Sequence, residues 1–254
     1  MATYKRGILG RFSGKVGTVV GATWRGISVM RAVPSEVRNP RTPKQQAQRE
    51  RFQLMSRLLR LTRPFIQAGF EIRSSDAFTA ANAMMSYNVR FGVKGEYPGQ
   101  TPDWPNVRFA MGSLQGTDAG GSSIGFDAES SEAVFTWADN SGQNNALSSD
   151  LAMLMLFNPD KEQAVFDLAA AAREAGTAML RIPPAYAGDT LHAWIAFRRA
   201  EDSDERISSD SLYLGTLSFG SNNSGNEGSG EIPGSGENGN DDSDETSDTG
   251  DTGN

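Results

Sequence analysis

Short runs of aliphatic, β-branched and aromatic residues recur at close intervals through the second half of the chain, and this spacing constrains the fold more than any other feature. Turn-forming segments such as DNSGQNN (139–145) and NPDK (158–161) separate neighbouring runs. Seven or eight short strands within about 110 residues are typical of a β-sandwich. We therefore expect a mainly β fold with a few helices, in which an N-terminal hairpin/helix region precedes an immunoglobulin/fibronectin-like β-sandwich. The predicted strands are 107–114, 122–126, 133–137, 151–157, 164–167, 177–182, 191–197 and 212–219.

The run AVFTWA predicts which side of the sandwich is packed. Successive side chains of a strand point to opposite faces, so Val134 and Thr136 share one face while Phe135 and Trp137 share the other. We expect the face with Phe135 and Trp137 to be the core face. Trp137 and Trp194 are the expected anchors between the two sheets.

The N-terminal region predicts small hairpins followed by helices. The runs 16–20 and 27–32 are β-branched and separated by glycines, which favours twisted hairpins. Thr42 is a plausible N-cap with Pro43 in the first helical position, and Pro64 should end this helix near Arg63. A second helix is expected to open at 75–76. The apolar face of the first helix comprises Ala47, Leu54, Met55, Leu58, Leu61 and Phe65.

Composition divides the chain into three regions. Prolines at 98, 102 and 105 mark the change from the first region, 1–97, to the sandwich, 98–220. From Ser221 the chain is almost entirely Ser, Gly, Asn, Asp and Glu, with Ile232 as its single aliphatic residue. A segment of this kind buries too little apolar surface to offset the entropy of ordering. We therefore predict a disordered acidic tail at 221–254.

The net charge of −7 conceals a strong asymmetry along the chain. Residues 1–73 carry +12, residues 74–220 carry −10, and residues 221–254 carry −9. Such asymmetry is a signal for association and solubility. The first segment should lie near something anionic, which is either nucleic acid, an acidic neighbour or this protein's own acidic parts.

The basic face of the first helix is the strongest candidate interaction site. A row of arginines lies opposite the apolar face, and it could follow a phosphate backbone or pair with acidic groups on a protein. A protein partner or self-association is favoured because the chain itself supplies many acids, and nucleic acid is the alternative partner. The candidate interaction residues are Arg38, Arg41, Lys44, Arg49, Arg57, Arg60 and Arg63.

Residue types exclude several kinds of catalytic and metal site. The chain has no cysteine and a single histidine, His192, so thiolate or multi-histidine metal sites and thiol nucleophiles cannot form. Lys15 follows a glycine, but the spacing misses a phosphate-binding loop, and no serine stands in a G-x-S-x-G motif. The acids at 202–205 lie in a loop rich in like charge, which favours a solvated surface. We expect no catalytic residues, no cofactor, no metal and no small-molecule substrate.

The chain shows no sign of export or of a membrane span. The basic residues at 5–6 are followed by a stretch with further charges and five glycines, so an apolar signal core is missing. The longest apolar run, 151–157, is much shorter than a transmembrane helix. A cytoplasmic protein is expected, or one that is packaged into a virion or particle.

Several segments, taken in order, resemble a family of unknown function common in Bacteroidetes. They are GILGRFSGKVGTVVGATWRGISVMRAVP near the start, TPKQQAQRERF (42–52), FTWADNSG, LFNPDKEQAVF and GDTLHAWIAF, with YLG near the end. The element N-P-x-T-x-x-Q-Q-x-x-R (39–49) is also similar to a helix start in phage-associated proteins with fibronectin-like domains. The family lends no catalytic residues, and the second resemblance implies a place in a virion or particle.

These observations predict a non-catalytic structural or interaction protein that self-assembles or belongs to a phage-related particle. The alternative is a nucleic-acid-binding protein that uses the basic N-terminal region. A third hypothesis is a hydrolase whose site lies in the sandwich loops.

Overall fold

The computed structural model describes residues 3–4, 12–24, 26–36, 39–70, 79–200 and 207–218. The helices are α1 (Pro43–Leu61), α2 (Arg63–Gly69) and α3 (Ala80–Phe91). The strands before the sandwich are β1 (Thr3–Tyr4), β2 (Phe12–Val16), β3 (Val19–Trp24), β4 (Ile27–Ala32), β5 (Val93–Lys94) and β6 (Thr101–Pro102). The strands of the sandwich are β7 (Ser122–Asp127), β8 (Glu132–Trp137), β9 (Leu151–Asn158), β10 (Gln163–Asp167), β11 (Thr177–Arg181), β12 (Thr190–Arg198) and β13 (Leu212–Ser218).

The predicted sandwich is confirmed, and its strands pair antiparallel in two sheets. One sheet has the order β11-β8-β7 and the other has the order β10-β9-β12-β13. The first, second and fifth strands of the sandwich therefore share one sheet, and the third, fourth, sixth and seventh share the other. An immunoglobulin constant domain divides its strands similarly but keeps its fourth strand in the first sheet. The mainly β fold class expected from the spacing of the runs is correct.

The sheet β10-β9-β12-β13 is covered on both faces, which gives the molecule three layers. The helices cover one face, and the sheet β11-β8-β7 covers the other. Strand β9 has the sequence LAMLMLFN, and every residue after Leu151 in it is buried. A strand with solvent on one side would alternate apolar and polar residues, so this uninterrupted apolar run is the consequence of two packed faces.

The inter-sheet core lies between the two sheets of the sandwich. Alternate residues of β8, Ala133, Phe135 and Trp137, point into it, whereas Val134 and Thr136 between them do not belong to it. The face predicted from AVFTWA is therefore confirmed. The buried members from the opposite sheet are Ala152, Leu154, Leu156, Leu191, Ala193, Ile195, Phe197 and Leu217.

The helix-side core lies on the other face of the same sheet. Met55 of α1, Phe65 of α2 and Met84 of α3 pack here against residues such as Met153 of β9. Trp194 is fully buried in this core, so its expected role as an anchor between the two sheets is wrong. Its place in β12, one residue out of phase with the inward-pointing Ala193 and Ile195, directs it toward the helices.

The predicted first helix is confirmed, with two differences at its end. Thr42 caps α1 by accepting a hydrogen bond from the Gln45 backbone at 3.4 Å. The helix stops at Leu61, where the Thr62 hydroxyl bonds the Leu58 carbonyl at 2.8 Å, and a separate helix, α2, follows. The next helix, α3, begins at Ala80, and the predicted start at 75–76 lies outside the described residues.

The run 107–114 is predicted to be a strand and is not one, although Val107, Phe109, Ala110 and Leu114 are buried. Its backbone bonds to side chains and loops: the Asn88 side chain receives a bond from the Arg108 amide and donates one to the Arg108 carbonyl, each 2.8 Å long. The Leu114 amide bonds the Ser208 carbonyl at 3.0 Å, and a single bridge to Ser209 replaces a ladder. A buried apolar connector and a buried strand have the same composition, so the run alone does not separate them.

The described helices show no membrane span, since none of them combines the required length with apolar character. The three-region division at 97 and 220 stays a prediction, and residues 221–254 lie outside the described part of the chain. Within the described part, the helices of the first region and the sandwich share the helix-side core.

Replacing Trp137 with Ala should lower the free energy of unfolding by about 3–5 kcal/mol, because it leaves a large cavity in the inter-sheet core. The same change also removes the 2.7 Å hydrogen bond from the indole to the Arg173 carbonyl. Urea denaturation measures the difference. Phe91→Ala is the control, since that aromatic residue is 57% exposed and belongs to neither core. A loss below about 1 kcal/mol at Trp137 would contradict the assignment.

Candidate interaction surface

The first four strands form a small antiparallel sheet of order β1-β2-β3-β4. Val16 pairs with Val19 and Trp24 pairs with Ile27, so two residues of the chain separate the paired ends of each hairpin. Gly17 and Gly26 have φ values of 57° and 84°, which side chains with a Cβ rarely adopt. The glycines noted in the sequence therefore serve tight turns, and the predicted hairpins are confirmed.

Large apolar side chains remain exposed on this sheet. Among the residues that the structure describes, ten large apolar side chains are exposed, and five of them lie between Val16 and Met30. No side chain of β2, β3 or β4 belongs to either core or packs against one. This concentration on one small sheet distinguishes it from ordinary scattered surface hydrophobics. The five are Val16 (42%), Trp24 (47%), Ile27 (56%), Val29 (45%) and Met30 (69%).

The strand register divides these side chains between the two faces. Trp24 pairs with Ile27, Ala22 with Val29, and Val20 with both Lys15 and Arg31. Paired residues point to the same side, so these seven residues form one surface, which we call the Trp24 face. It has an apolar end at Trp24 and Ile27 and a basic end at Lys15 and Arg31.

The opposite face carries Val16, Val19 and Met30. Its centre is closed by Phe12, whose ring lies over Gly21, where a Cβ would come within 2.6 Å of the ring carbons. Gly21 is buried as a result, although no core lies beneath it. The sheet therefore gains its local packing from Phe12 and leaves most of its remaining apolar surface in water.

Strand β4 forms the edge of the sheet, and all six of its residues are exposed. An edge strand presents unpaired backbone donors and acceptors and is a template for pairing with another chain. Natural edges are usually protected by proline, lysine, a bulge or an inward-pointing charge. The sequence ISVMRA has none of these devices except the single charge of Arg31. After the exposed apolar side chains, the unprotected edge of β4 is the second feature of the N-terminal sheet that favours contact with another chain.

The structure places most of the predicted basic residues on the exposed side of the helices. Arg49, Arg57 and Arg60 are exposed on α1 and lie within about 80° of one another around its axis. Arg63 is exposed but begins α2 and not α1, and Lys44 is exposed in the first turn of α1. Arg41 precedes α1 and is exposed, whereas Arg38 lies outside the described residues.

The basic residues differ in their partners. Arg57 forms an ion pair with Glu162, in the turn between β9 and β10, with a nitrogen–oxygen distance of 2.8 Å. Arg49 donates to the side chain of Asn39. The remaining four described residues, Arg41, Lys44, Arg60 and Arg63, make no ion pair or hydrogen bond through their side chains to the described part of the chain. Their charges are therefore available to a partner.

A groove of about 500 Å³ lies between α1 and α3. Phe52, Met85 and Val89 supply apolar surface, and Arg51 and Arg90 supply positive charge. Phe52 is 57% exposed although it is a large aromatic residue. None of the described residues that line the groove is acidic. Arg51 and Arg90 therefore place positive charge beside α1 on a different side from the one that carries Arg49, Arg57 and Arg60.

His192 is packed in an aromatic cluster on the helix side of β12. Its Nδ1 lies 2.8 Å from the Tyr213 hydroxyl, and its ring lies 4.6 Å from the ring of Trp104, measured between centroids. Burial lowers the pKa of His192 to about 4; the charge of Asp160 acts in the opposite direction, and that of Lys94 adds to the effect. The side chain is neutral at pH 7, and its neighbours among the described residues are aromatic side chains, of which Tyr213 shares a hydrogen bond with it.

A buried cluster of charges was not predicted from the sequence. Asp150 lies between two arginines, with Arg173 Nη2 3.3 Å from one of its oxygens and Arg199 Nε 3.3 Å from the other. Arg173 is fully buried, stacks on the Phe197 ring at 3.9 Å, and donates to the Asn140 side chain and the Gln115 carbonyl. Burial lowers the pKa of Arg173, and the charge of Asp150 opposes this shift. The cluster fastens the loops at one end of the sandwich.

This cluster has no recognisable sequence signal, because Arg173 follows a run of alanines and Asp150 follows an ordinary turn. The described residues contain no group of three His, Cys, Asp or Glu side chains placed to hold a metal ion. The acids at 202–205 lie outside the described part of the chain. The N-terminal sheet and the basic helix face therefore remain the best supported candidate surfaces.

A model of the family of unknown function DUF6266 matches residues 11–215, which cover β2 to β4, the helices and nearly all of the sandwich. The chain belongs to DUF6266. The unknown-function family expected from the quoted segments is thereby confirmed. The part of this DUF6266 chain that the family model matches includes β2, β3 and β4 of the N-terminal sheet as well as the packed core. No curated protein and no solved structure matches the chain.

The stability of the fold should decrease as the pH falls from about 6.5 toward 4. The unfolded chain protonates His192 near its ordinary pKa of 6.5, whereas the folded chain does so only at about 4, so protons favour the unfolded state in this window. Urea midpoints measured from pH 4 to pH 7 should fall less steeply in His192→Gln than in the wild type. Carboxylates that titrate in the same window affect both proteins equally. Identical slopes would contradict the buried, neutral histidine.

Proposed function

We propose that this DUF6266 chain is a non-catalytic interaction protein that self-associates through its N-terminal sheet. The observation that carries the proposal is the exposure of Val16, Trp24, Ile27, Val29 and Met30 on a sheet that contributes to neither core. The chain has two well-packed cores available, yet these side chains stay outside both. An interface with another molecule is the simplest use for such a surface.

The apolar surface is large enough to contribute substantially to binding. Full burial of a large aliphatic or aromatic side chain is worth about 1.5–3 kcal/mol. Trp24, Ile27 and Val29 are each about half exposed. Covering the rest of each should therefore add about 1 kcal/mol per side chain. Contacts of this kind form the apolar centre of an interface, with charged residues at its rim.

A second copy of the chain is the partner that its charges favour. The region that contains the N-terminal sheet and α1 carries +12 over residues 1–73, while residues 74–220 carry −10 and residues 221–254 carry −9. The ion pair between Arg57 and Glu162 is an intramolecular example of a helix arginine meeting a sandwich acid. Arg41, Lys44, Arg60 and Arg63 are free to make similar contacts with another copy. Complementary charge of this kind increases association rates and selects partners.

The finer proposal is that the self-associated protein is a structural component of a phage-related particle, located in the cytoplasm or in the virion. It is supported by the similarity of segment 39–49 to a helix start in phage-associated proteins. It is also supported by an apolar surface of the N-terminal sheet that would stay exposed to water in a monomer.

Replacing Trp24, Ile27 and Val29 together with Thr should weaken self-association about 10⁴-fold, since about 1 kcal/mol is lost for each of the three side chains in each of the two associating copies. Threonine retains strand propensity, so the sheet should persist. Sedimentation velocity over a range of concentrations measures the association. The matched control is Leu147→Thr with Met179→Thr, which changes two exposed apolar residues of the sandwich. Equal association of the triple variant and the wild type would contradict the proposal.

Nucleic-acid binding is the second candidate, and the exposed arginines on α1 and α2 are the observation that favours it. Four phosphate contacts would contribute about 3–4 units to the slope of log affinity against log salt. An interface with an apolar centre depends on salt much less, because charges at its rim mainly affect the association rate.

Changing Arg49, Arg57, Arg60 and Arg63 together to Gln should disturb self-association more than nucleic-acid binding. DNA and RNA titrations at several salt concentrations, together with light scattering, measure the two effects. The control variant changes three exposed cations outside the predicted set, Arg90, Lys94 and Arg181, to Gln, so it removes three positive charges where the test variant removes four. Submicromolar nucleic-acid affinity that the four changes abolish, with an unaltered oligomeric state, would reverse the order of the two functions.

A further inference from the structure

The backbone of β4 has a defined set of free hydrogen-bonding groups. In a two-residue hairpin the pair next to the turn is hydrogen-bonded, and hydrogen-bonded and non-bonded pairs alternate from there. Trp24 and Ile27 flank the turn, so Val29 and Arg31 also point their backbone groups toward β3. The bond from the Val33 amide to the Thr18 carbonyl, 2.7 Å long, continues the same alternation. The amides and carbonyls of Ser28, Met30 and Ala32 therefore point away from the sheet.

We propose that β4 pairs antiparallel with β4 of a second copy around a two-fold axis, so that the two N-terminal sheets become one. This inference rests on the proposed self-association and adds the strand that performs it. Each strand offers the other an unprotected edge with the same spacing of donors and acceptors. A two-fold interface is self-complementary by construction, because each copy contributes the same strand.

The outward-pointing groups restrict the register of this pair. In an antiparallel pair the residue numbers of two directly opposed residues add to a constant, and this sum defines the register. Ser28 and Met30 of one copy must lie opposite residues of the other copy whose backbone groups also point outward. These residues are even-numbered, so the sum is even. The sum 62 places Arg31 opposite Arg31, and like charges directly opposite are destabilising. The sum 58 places Val29 opposite Val29 and Ile27 opposite Arg31. The sum 60 places Met30 opposite Met30 and Val29 opposite Arg31.

The sum 56 would pair only residues 27–29 of each strand, since the turn lies at 26, and among the other three registers the Trp24 face selects the sum 58. Val29 is then a close, non-hydrogen-bonded pair with its counterpart, with Cα atoms about 4.5 Å apart. The apolar stripe of Trp24, Ile27 and Val29 continues from one copy to the other across this pair. The sum 60 would instead put an arginine beside Val29 on both sides. Ser28 and Met30 exchange backbone hydrogen bonds in the chosen register.

The basic residues of β4 tolerate this arrangement. Arg31 lies opposite Ile27 of the second copy, and the two Arg31 positions are about 13 Å apart along the strand direction. This separation exceeds the Debye length of about 8 Å at physiological ionic strength, so their repulsion is largely screened. The aliphatic part of Arg31 can cover Ile27, and its guanidinium can reach toward the ring of Trp24 on the adjacent strand.

Single cysteines test the register directly, because the chain has no cysteine of its own. Under mild oxidation Val29→Cys should form a disulfide-linked dimer as its major product, since the opposed Cα atoms lie within the range of about 4.4–6.8 Å that a disulfide requires. Arg31→Cys and Met30→Cys should remain mostly unlinked, because each lies more than about 7 Å from its own counterpart. A dimer of Met30→Cys in place of Val29→Cys would overturn the proposal.

Proline substitutions test the backbone pairing. Ser28→Pro removes an outward-pointing amide while sparing the bonds to β3, and it should weaken self-association at least tenfold, with an unchanged melting temperature when both proteins are measured at concentrations where they are monomeric. Ala32→Pro is the matched control, because its amide also points outward but lies beyond the paired residues 27–31. Equal loss of association in both variants, or in neither, would contradict the proposed pairing.

The outcomes separate this inference from the proposed function. If the wild type is monomeric at every concentration, self-association itself is wrong and no cysteine variant will cross-link specifically. If the wild type associates and the triple Thr variant does not, self-association through the sheet stands. In that case, failure of Val29→Cys to cross-link and normal assembly of Ser28→Pro would overturn the β4 pairing alone.

Discussion

The fold depends on covering both faces of the sheet β10-β9-β12-β13. Residues of β9 point alternately into the inter-sheet core and the helix-side core, so neither the helices nor the sheet β11-β8-β7 could be lost without exposing half of this strand. The two layers on either side hold the central sheet by apolar contact, which is the dominant favourable contribution to folding.

Buried polar groups fix the ends and connections of these layers. The side chain of Asn88 makes the two hydrogen bonds to the backbone of the connector at 107–111 that a neighbouring strand would otherwise make. The Asp150 cluster joins the loops at 115, 140, 173 and 199. Breaking a buried ion pair by removing one partner is costly, because it leaves an uncompensated charge away from water. The polar groups thus restrict where the apolar layers connect, while the apolar contacts hold the layers together.

The N-terminal sheet follows a different physical rule from the rest of the described chain. Its strands are joined by tight turns and by the ring of Phe12 over Gly21, but its apolar side chains and the edge of β4 face water. Neither of the two cores in the described part of the chain buries this surface. The proposed function and the β4 pairing both rest on this contrast between the two buried cores and the exposed apolar surface of the N-terminal sheet. The basic helix face follows this sheet in the sequence.

The sequence by itself determined the places of the seven sandwich strands among eight predicted runs, the inward direction of Phe135 and Trp137, and the cap of α1 at Thr42. These features depend on local alternation, turn residues and capping, which neighbouring residues encode. Only the tertiary structure decided that Trp194 faces the helices, that 107–114 is a connector, that Arg173 is buried beside Asp150, and that Trp24 and Ile27 stay exposed. Each of these depends on which surface covers a side chain, and that surface comes from residues far away in the chain, so no local pattern records it.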